Sequence, residues 1–405
     1  MTSTCVGLSA FIFGGNMFLS LAIIFFIGIL GGIIFEKIKI PKIIFYLLLG
    51  ILMGPSVLNI IDNQILEIST YLRQIALVII LTRSGLSLDY KMLIKLGRPA
   101  ILMCFLPACF EILGCLCFAP LLLNISIPEA LLLGSVLGAV SPAIIVPRMI
   151  RLIEDPVKNR NGLGYIVMAG ASCDDIFVII LFYAFKSLAS SNFSPIIFLD
   201  IPSGIILGIT LGIIAAVIIL FILKFFNNNI SIVIILLGFS FFMLYLEELL
   251  KPYVAVSSLL AIVVLSVLIL KYQPVIAKEI QKSYNGLWQG FEILLFVLVG
   301  AITDVNYLFS QNALSILLLL LISLSFRSLG VLICLIKTDF TIKQRLYIIL
   351  SYLPKATVQA SIGAIALNEG LACGTIVLTA AVISIIFTAP IGAILMDNLD
   401  KKLLH

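Results

Sequence analysis

The chain has 405 residues, of which 62% are apolar and 11% charged, with a formal net charge of +5 and a mean hydropathy of +1.26. A soluble globular domain carries about 25% charged residues, so this composition excludes one and predicts an all-α polytopic membrane protein. The only histidine is His405, which excludes a histidine-based pH sensor or metal site inside the membrane.

Apolar runs long enough to cross a bilayer as straight, tilted or broken helices divide the chain into about 13 predicted transmembrane helices. These predicted spans are 17–35, 43–60, 71–88, 99–123, 128–150, 163–185, 202–223, 230–246, 254–270, 288–303, 312–336, 345–367 and 373–396.

The basic residues test this division, because cytoplasmic connections of membrane proteins are enriched in Lys and Arg. The connections after odd-numbered spans and the C-terminal tail hold 19 of the 25 basic residues, namely Lys37, Lys39, Lys42, Lys91, Lys95, Arg98, Arg148, Arg151, Lys158, Arg160, Lys224, Lys271, Lys278, Lys282, Lys337, Lys343, Arg345, Lys401 and Lys402. The opposite side holds Arg73, Lys186 and Lys251. This asymmetry predicts a multi-pass protein of the cell (plasma) membrane, with its N-terminus outside and its C-terminus cytoplasmic.

Two adjacent carboxylates, Asp174 and Asp175, lie near the middle of the apolar run from Leu163 to Phe185. One carboxylate at that depth costs at least ~2.5 kcal/mol on the insertion scale. The pair must therefore face a protein interior or a water-filled cavity, where it can hold a cation or a proton. We interpret Asp174 and Asp175 as the ion- and proton-binding site.

Three basic residues, Arg83, Arg327 and Lys355, lie within predicted spans. Arg83 is close enough to the cytoplasmic end of its helix to reach the interface, whereas Arg327 and Lys355 lie deeper. A buried arginine needs a partner, and Glu111 is the best-placed acid for it. The sequence therefore predicts a buried ion pair between Glu111 and Arg327.

Two spans contain polar, helix-breaking runs, 138–147 around Ser141 and Pro142 and 351–359 around Pro354. A proline inside a helix removes a backbone donor, and freed backbone groups are tolerated at membrane depth only within protein or beside water. Broken helices at corresponding positions of two halves are typical of secondary transporters built on inverted repeats. Spans four to six and eleven to thirteen provide these halves, and they start on opposite sides of the membrane.

The stretch from Gln273 to Gln289 is polar enough to form either an amphipathic interfacial helix before span ten or a solvated loop. No nucleotide-binding loop occurs in the sequence, so we expect transport driven by ion gradients, with no cofactor and no nucleic-acid partner.

Four stretches carry a resemblance to a known family: Leu81–Asp89, Val136–Ala143, the Asp174–Asp175 pair and Leu353–Ala360. They resemble the two-aspartate branch of the cation:proton antiporter superfamily, and most nearly its sodium/hydrogen exchangers of the 9B type. The resemblance covers most of the chain and implies the Na⁺/H⁺ antiporter fold with two crossing broken helices, a homodimer and an elevator-like motion.

The resemblance also implies a division into domains. Dimerisation-domain helices one to three would occupy 1–98, core helices four to six 99–190, linker helix seven 191–229, dimerisation-domain helices eight to ten 230–310 and core helices eleven to thirteen 311–405.

The family's residue roles carry over where the motifs match. Asp175 resembles the main ion-binding carboxylate and Asp174 its partner, while Ser141, Pro142 and Thr357 lie on the broken helices beside them. Pro354 marks the second break, and Lys355 lies there with a charge that can offset a carbonyl-rich helix end. Several two-aspartate antiporters have a lysine where this chain has Arg327, and an arginine keeps its proton at physiological pH.

The leading hypothesis is a secondary antiporter that exchanges Na⁺ or Li⁺ for H⁺ by competition at Asp175, electroneutrally. A K⁺/H⁺ efflux antiporter and a sodium-coupled organic-anion symporter of related fold are the alternatives, because sequence does not fix the cavity size and ligand number that set ion choice. An intramembrane aspartyl protease, the enzymatic alternative, needs two aspartates facing each other from different helices. Adjacent residues point about 100° apart on one helix, so we expect no enzyme.

Overall fold

The computed structural model describes residues 16–87, 94–155, 158–190, 197–225, 228–250, 253–254, 256–308 and 310–404, with the backbone alone at 160, 172, 197–202, 311 and 401. Every regular element in these ranges is helical, which confirms the all-α class. Leu88 and Asp89 of the first resemblance stretch lie outside the described residues, as do Lys91 and Lys251.

The helices of the described ranges are labelled in chain order. Helices α1 to α9 are Met17–Lys37, Lys42–Met53, Asn63–Ser87, Arg98–Met103, Leu106–Leu123, Ile127–Gly138, Pro142–Ile153, Leu163–Ser190 and Ile197–Ile222. Helices α10 to α18 are Asn229–Leu250, Ser258–Tyr272, Pro274–Ala301, Val305–Leu308, Gln311–Cys334, Ile342–Ser351, Thr357–Gly363, Ile365–Asn368 and Gly374–Leu403.

Ten helical segments of the described chain are long and apolar enough to cross a membrane, and α2 and α11 are two shorter apolar helices. Helices α15 to α17 together overlap the predicted span 345–367 but are too short to qualify singly. The multi-pass architecture is confirmed, whereas the count of thirteen spans stays a prediction.

Helix α12 corrects the tenth predicted span, which was placed at 288–303. The helix runs without interruption from Pro274 to Ala301, so the loop interpretation of the preceding stretch is wrong. Ala277, Ile280, Tyr284 and Trp288 are buried along one face of it, at the spacing of an amphipathic helix. The polar opposite face lowers the hydropathy of this region, which is why the apolar run of the sequence begins later than the helix.

The first broken helix is the pair α6 and α7. A capping box of Ser126 and Glu129 starts α6, and α6 ends at Gly138. Ala139 and Ser141 adopt extended backbone conformations, and Pro142 begins α7 at a position where its missing N–H is not needed.

The second broken helix is α15 followed by α16. Thr341 and Gln344 form the capping box that starts α15, and the helical turns resume only at Thr357. The two breaks meet, because the Ser141 backbone N–H donates to the Pro354 carbonyl at 2.8 Å. The prediction of two broken helices that cross is therefore confirmed.

Close packing of α2 against α12 depends on two glycines. A Cβ atom at Gly50 would lie 2.0 Å from the Val297 carbonyl oxygen, and one at Gly300 would lie 2.2 Å from the Leu47 carbonyl oxygen. Both contacts are with backbone, so these helices approach closely only because both positions lack a side chain.

Candidate functional site

Asp174 and Asp175 lie side by side on α8, 0% and 4% exposed, yet they have different surroundings. Asp174 Oδ2 accepts a hydrogen bond from the Val140 backbone N–H at 3.0 Å and another from Arg327 Nη2 at 2.9 Å. Asp175 forms no ion pair in the described part of the chain, and Oδ1 of each carboxylate has no hydrogen-bond partner there. Neighbouring positions on a helix point in different directions, which is why only Asp174 reaches Arg327.

Arg327 projects from α14 and bridges two acids. Its Nη1 lies 2.8 Å from Glu111 Oε2, as the sequence predicts, while its Nη2 binds Asp174, which the sequence did not predict. Nη1 also donates to the Gly138 carbonyl at the end of α6. The ring of Tyr352 lies 5.4 Å from the guanidinium carbon, within the range of a cation–π contact.

Lys355 lies in the non-helical segment between α15 and α16 and is fully buried. Its Nζ lies 2.8 Å from Glu111 Oε1 and donates to the Leu137 carbonyl. Leu137 is in the last turn of α6, so the ammonium group faces the negative end of that helix. The predicted contact with a carbonyl-rich helix end thus involves α6, on the partner broken helix. Glu111 also accepts a hydrogen bond from Ser323 Oγ at 3.4 Å.

The remaining predicted residues lie at the crossing of the broken helices but differ in their contacts. The Ser141 and Pro354 main chains meet, whereas Ser141 Oγ is buried without a hydrogen-bond partner among the described residues. Pro142 and Thr357 begin the second helix of each broken pair. Thr357 is 1% exposed, and its carbonyl accepts from Ser361 Oγ at 2.7 Å.

Two polar residues that the sequence did not single out hold the crossing together. Gln359 Nε2 donates to the Ala139 carbonyl at 2.7 Å, and Thr388 Oγ1 accepts from the Lys355 backbone N–H at 2.9 Å. Each is a buried polar residue in an otherwise apolar span. That signal was visible in the sequence for Gln359, which lies within the stretch Leu353–Ala360.

Three buried oxygens near the crossing are of a kind suited to a hard monovalent cation. Asp174 Oδ1, Asp175 Oδ1 and Ser141 Oγ have no hydrogen-bond partner in the described structure. Carboxylate and hydroxyl oxygens are hard ligands, which suit such an ion. Asp174 and Asp175 are adjacent on one helix, so they do not form the opposed pair of an aspartyl protease.

A cavity of about 640 Å³ opens beside the crossing, with walls that include Ala143 and Ile144, just after Pro142. Its mouth carries the ion pairs Arg148–Asp397 at 2.8 Å, Lys158–Asp400 at 2.7 Å and Lys42–Glu292 at 3.0 Å. The basic residues of all three pairs lie in connections predicted to be cytoplasmic.

The sequence that forms this crossing and its buried charged cluster matches a known family. A profile described as the transmembrane region of sodium/hydrogen exchangers matches residues 21–397. The chain belongs to the sodium/hydrogen exchanger family.

Curated relatives of this exchanger confirm the resemblance to the 9B type. It is 33% identical to sodium/hydrogen exchanger 9B1 of Mus musculus over 411 residues, which cover 97% of this chain and 72% of the relative. It is 31% identical to 9B2 of Mus musculus over 413 residues, covering 97% and 74%. Human 9B1 is 32% identical over 409 residues, covering 96% and 79%.

A solved structure shows the same fold for this exchanger chain. The sodium proton antiporter MjNhaP1 from Methanocaldococcus jannaschii, at pH 8, superposes with a TM-score of 0.80, covering 99% of each chain at 22% sequence identity. The antiporter fold expected from the resemblance is confirmed.

Proposed function

We propose that this exchanger family member is a secondary antiporter that moves Na⁺ or Li⁺ against H⁺ across the membrane, with Asp175 as the group for which the two ions compete. The single observation that supports this assignment is that the two aspartates differ in their bonding partners. Asp174 Oδ2 is already bound by Arg327 and Val140, whereas Asp175 is buried without an ion pair in the described residues.

The charges of the cluster support a one-for-one exchange. Glu111, Asp174 and Asp175 face Arg327 and Lys355, so three acids meet two bases. A buried charge without a partner is costly, and one proton or one monovalent cation on Asp175 removes the excess. Both cannot bind there at once without restoring an imbalance of opposite sign. That exclusivity makes the two ions exchange rather than travel together.

Ion-driven proton movement in proteoliposomes tests this function. The purified protein is reconstituted with a pH-sensitive dye inside, and Li⁺, Na⁺ and K⁺ are added in turn at equal ionic strength. We expect Na⁺ and Li⁺ to drive proton movement. Proton movement driven by K⁺ alone identifies a potassium efflux antiporter. An absence of proton movement with all three cations favours a symporter.

We propose that the protein lies in the cell membrane and forms a dimer with a second copy of the chain. Only 28% of the residues in the most apolar windows of α1, α9 and α10 are buried within the chain, so these helices offer apolar surface to lipid and to a partner subunit. We place the N-terminus outside and the C-terminus in the cytoplasm, on the distribution of basic residues.

A further inference from the structure

The two sides of the molecule are unequally open. The cavity of about 640 Å³ lies on the side predicted to be cytoplasmic, between Lys42 and Glu292 on one wall and Arg148 and Asp397 on the other. At the side predicted to be outer, a cavity of about 50 Å³ lies between α3 and the residues of α16 and α17. With the predicted orientation, the larger of these two cavities opens toward the cytoplasm and the smaller lies at the outer side, as in an inward-open state.

The outer closure contains a buried arginine. The sequence placed Arg73 in an outer connection, but it lies within α3, and it is only 3% exposed. Its side chain donates to Ser69 Oγ at 3.2 Å, Thr70 Oγ1 at 3.3 Å and Asn368 Oδ1 at 3.1 Å. It forms no ion pair within the described residues, so its charge is stabilised by neutral oxygens.

These three bonds differ in what they connect. Ser69 and Thr70 are on α3 with Arg73, so those bonds move with the helix. Asn368 ends α17, in the group of helices predicted to form the core, whereas α3 is in the predicted dimerisation group. The bond to Asn368 exists only while the two groups are in contact at the outer side.

We propose that Arg73 and Asn368 form an outer latch, a contact that holds the exchanger inward-open and must break before the site is exposed to the outside. The proposal rests on the proposed antiport function, because alternating exposure gives the latch its purpose. Any interaction made in one state and lost in the other shifts the balance between them by its own free energy.

Substitutions at Asn368 can test the latch, because one weakens its hydrogen bond to Arg73 and another strengthens it. Asn368→Ala removes the acceptor, while Asn368→Asp places a carboxylate against the guanidinium with almost no change of shape. A charged partner makes the bond stronger than a neutral amide does. Thr70→Val is the matched control, because it removes one bond from the same guanidinium without touching the contact between the two groups.

Outside accessibility is measured at Ser361, which lines the small outer cavity and is 4% exposed. Ser361→Cys is introduced in each background, reconstituted vesicles are treated from the outer side with a membrane-impermeant maleimide, and mass spectrometry quantifies labelling at that position. We expect labelling to rise at least about fivefold with Asn368→Ala, the lower end of ordinary coupling between sites. Asn368→Asp should label more slowly than the parent, and Thr70→Val should match it.

Two results overturn the latch. Labelling unchanged by both Asn368 substitutions means that the contact does not control access, and labelling raised by both means that they merely loosen the fold. Exchange is measured in parallel without the Ser361 substitution. If the parent exchanges ions and the Asn368 variants give either of these labelling results, the latch alone is contradicted. If labelling responds as expected but the parent shows no exchange, the proposed function is contradicted and the latch stands.

Discussion

At the scale of single residues, Asp174 and Asp175 are chemically identical but differ in their hydrogen bonds. Asp174 accepts hydrogen bonds from Arg327 Nη2 at 2.9 Å and from the Val140 N–H at 3.0 Å, whereas Asp175 forms no ion pair with any described base. A carboxylate that accepts hydrogen bonds from an arginine and a backbone N–H is held in place. Its neighbour Asp175 is therefore the carboxylate that we propose as the group bound by the transported ion.

Asp175→Asn should therefore abolish cation-driven proton movement in proteoliposomes while the protein stays folded and inserted. The amide keeps the shape of the side chain but cannot take up or release the proton. Asp304→Asn is the matched control, because Asp304 is exposed and caps the short helix α13 by accepting backbone N–H bonds, which asparagine also does. Exchange near the parent rate in the Asp175 variant would show that another group carries the ion.

Arg327 should matter more to stability than Asp174, because Arg327 pairs with two acids and Asp174 with one base. Arg327→Gln removes a partner from both Glu111 and Asp174, whereas Asp174→Asn leaves Arg327 bound to Glu111. Removing one partner of a buried ion pair costs ~3–5 kcal/mol, and the arginine substitution breaks two pairs. Thermal unfolding in detergent should rank Arg327→Gln as the less stable variant.

The Glu111–Arg327 contact itself is tested by the double variant. The loss in Glu111→Gln/Arg327→Gln should be smaller than the sum of the single losses, since the missing charges then compensate. Additive losses would contradict a direct pairing of these two residues, although the Arg327–Asp174 pair could still stand.

At the scale of helices, the breaks were the most predictable part of the site. Pro142 and Pro354 act through local chemistry, because a proline lacks the N–H that a continuous helix needs, and such a signal can be read without the fold. The meeting of Ser141 and Pro354 then follows from two breaks at equal depth. The start of α12 at Pro274 was missed because an amphipathic helix packed inside the protein is less apolar on average than a lipid-facing one.

The rotation of each helix about its axis could not be read from the sequence. Composition showed that Arg327 needed an acid, but whether it reaches Glu111, Asp174 or both depends on the relative placement of α5, α8 and α14. The same uncertainty hid the second partner of Glu111, Lys355, and the burial of Arg73. The sequence of a membrane protein shows which buried charged residues need partners. Which partners they contact depends on how the helices pack.

Packing of α2 on α12 gives a prediction about glycine. Gly300→Ala forces a methyl group against the Leu47 carbonyl, and such overpacking costs ~1–3 kcal/mol. Gly286→Ala is the control on the same helix, since a Cβ there meets nothing within 4 Å and alanine favours helices by roughly 0.5–1 kcal/mol. Melting temperatures should fall for Gly300→Ala and hold or rise for Gly286→Ala, and equal shifts would contradict the close approach.

At the scale of the whole molecule, five buried ionisable side chains, Glu111, Asp174, Asp175, Arg327 and Lys355, form one cluster beside the two broken helices. Glu111 and Asp174 hold Arg327, and Glu111 also holds Lys355, so four of the five charged groups are bound to one another. The helix ends contribute as well, since Arg327 and Lys355 both face carbonyl oxygens of α6. Asp175 is the one member of this cluster without an ion pair in the described residues, which is why we propose it as the group that changes charge.

The exchange should therefore be electroneutral, one monovalent cation for one proton. Arg327 keeps its proton throughout, and a second proton could travel on Lys355 only if its ammonium group gave up Glu111 and the Leu137 carbonyl. With only Asp175 changing charge, no net charge crosses the membrane in a cycle. The measurement uses proteoliposomes whose potential is clamped with K⁺ and valinomycin, with Na⁺ or Li⁺ as the driving ion. A potential of about 100 mV biases a cycle that moves one net charge by ~2.3 kcal/mol, so an electroneutral exchanger should reach the same final pH at every potential. A shift of the end point on that scale would mean that a second proton moves, and Lys355→Gln should then abolish the shift.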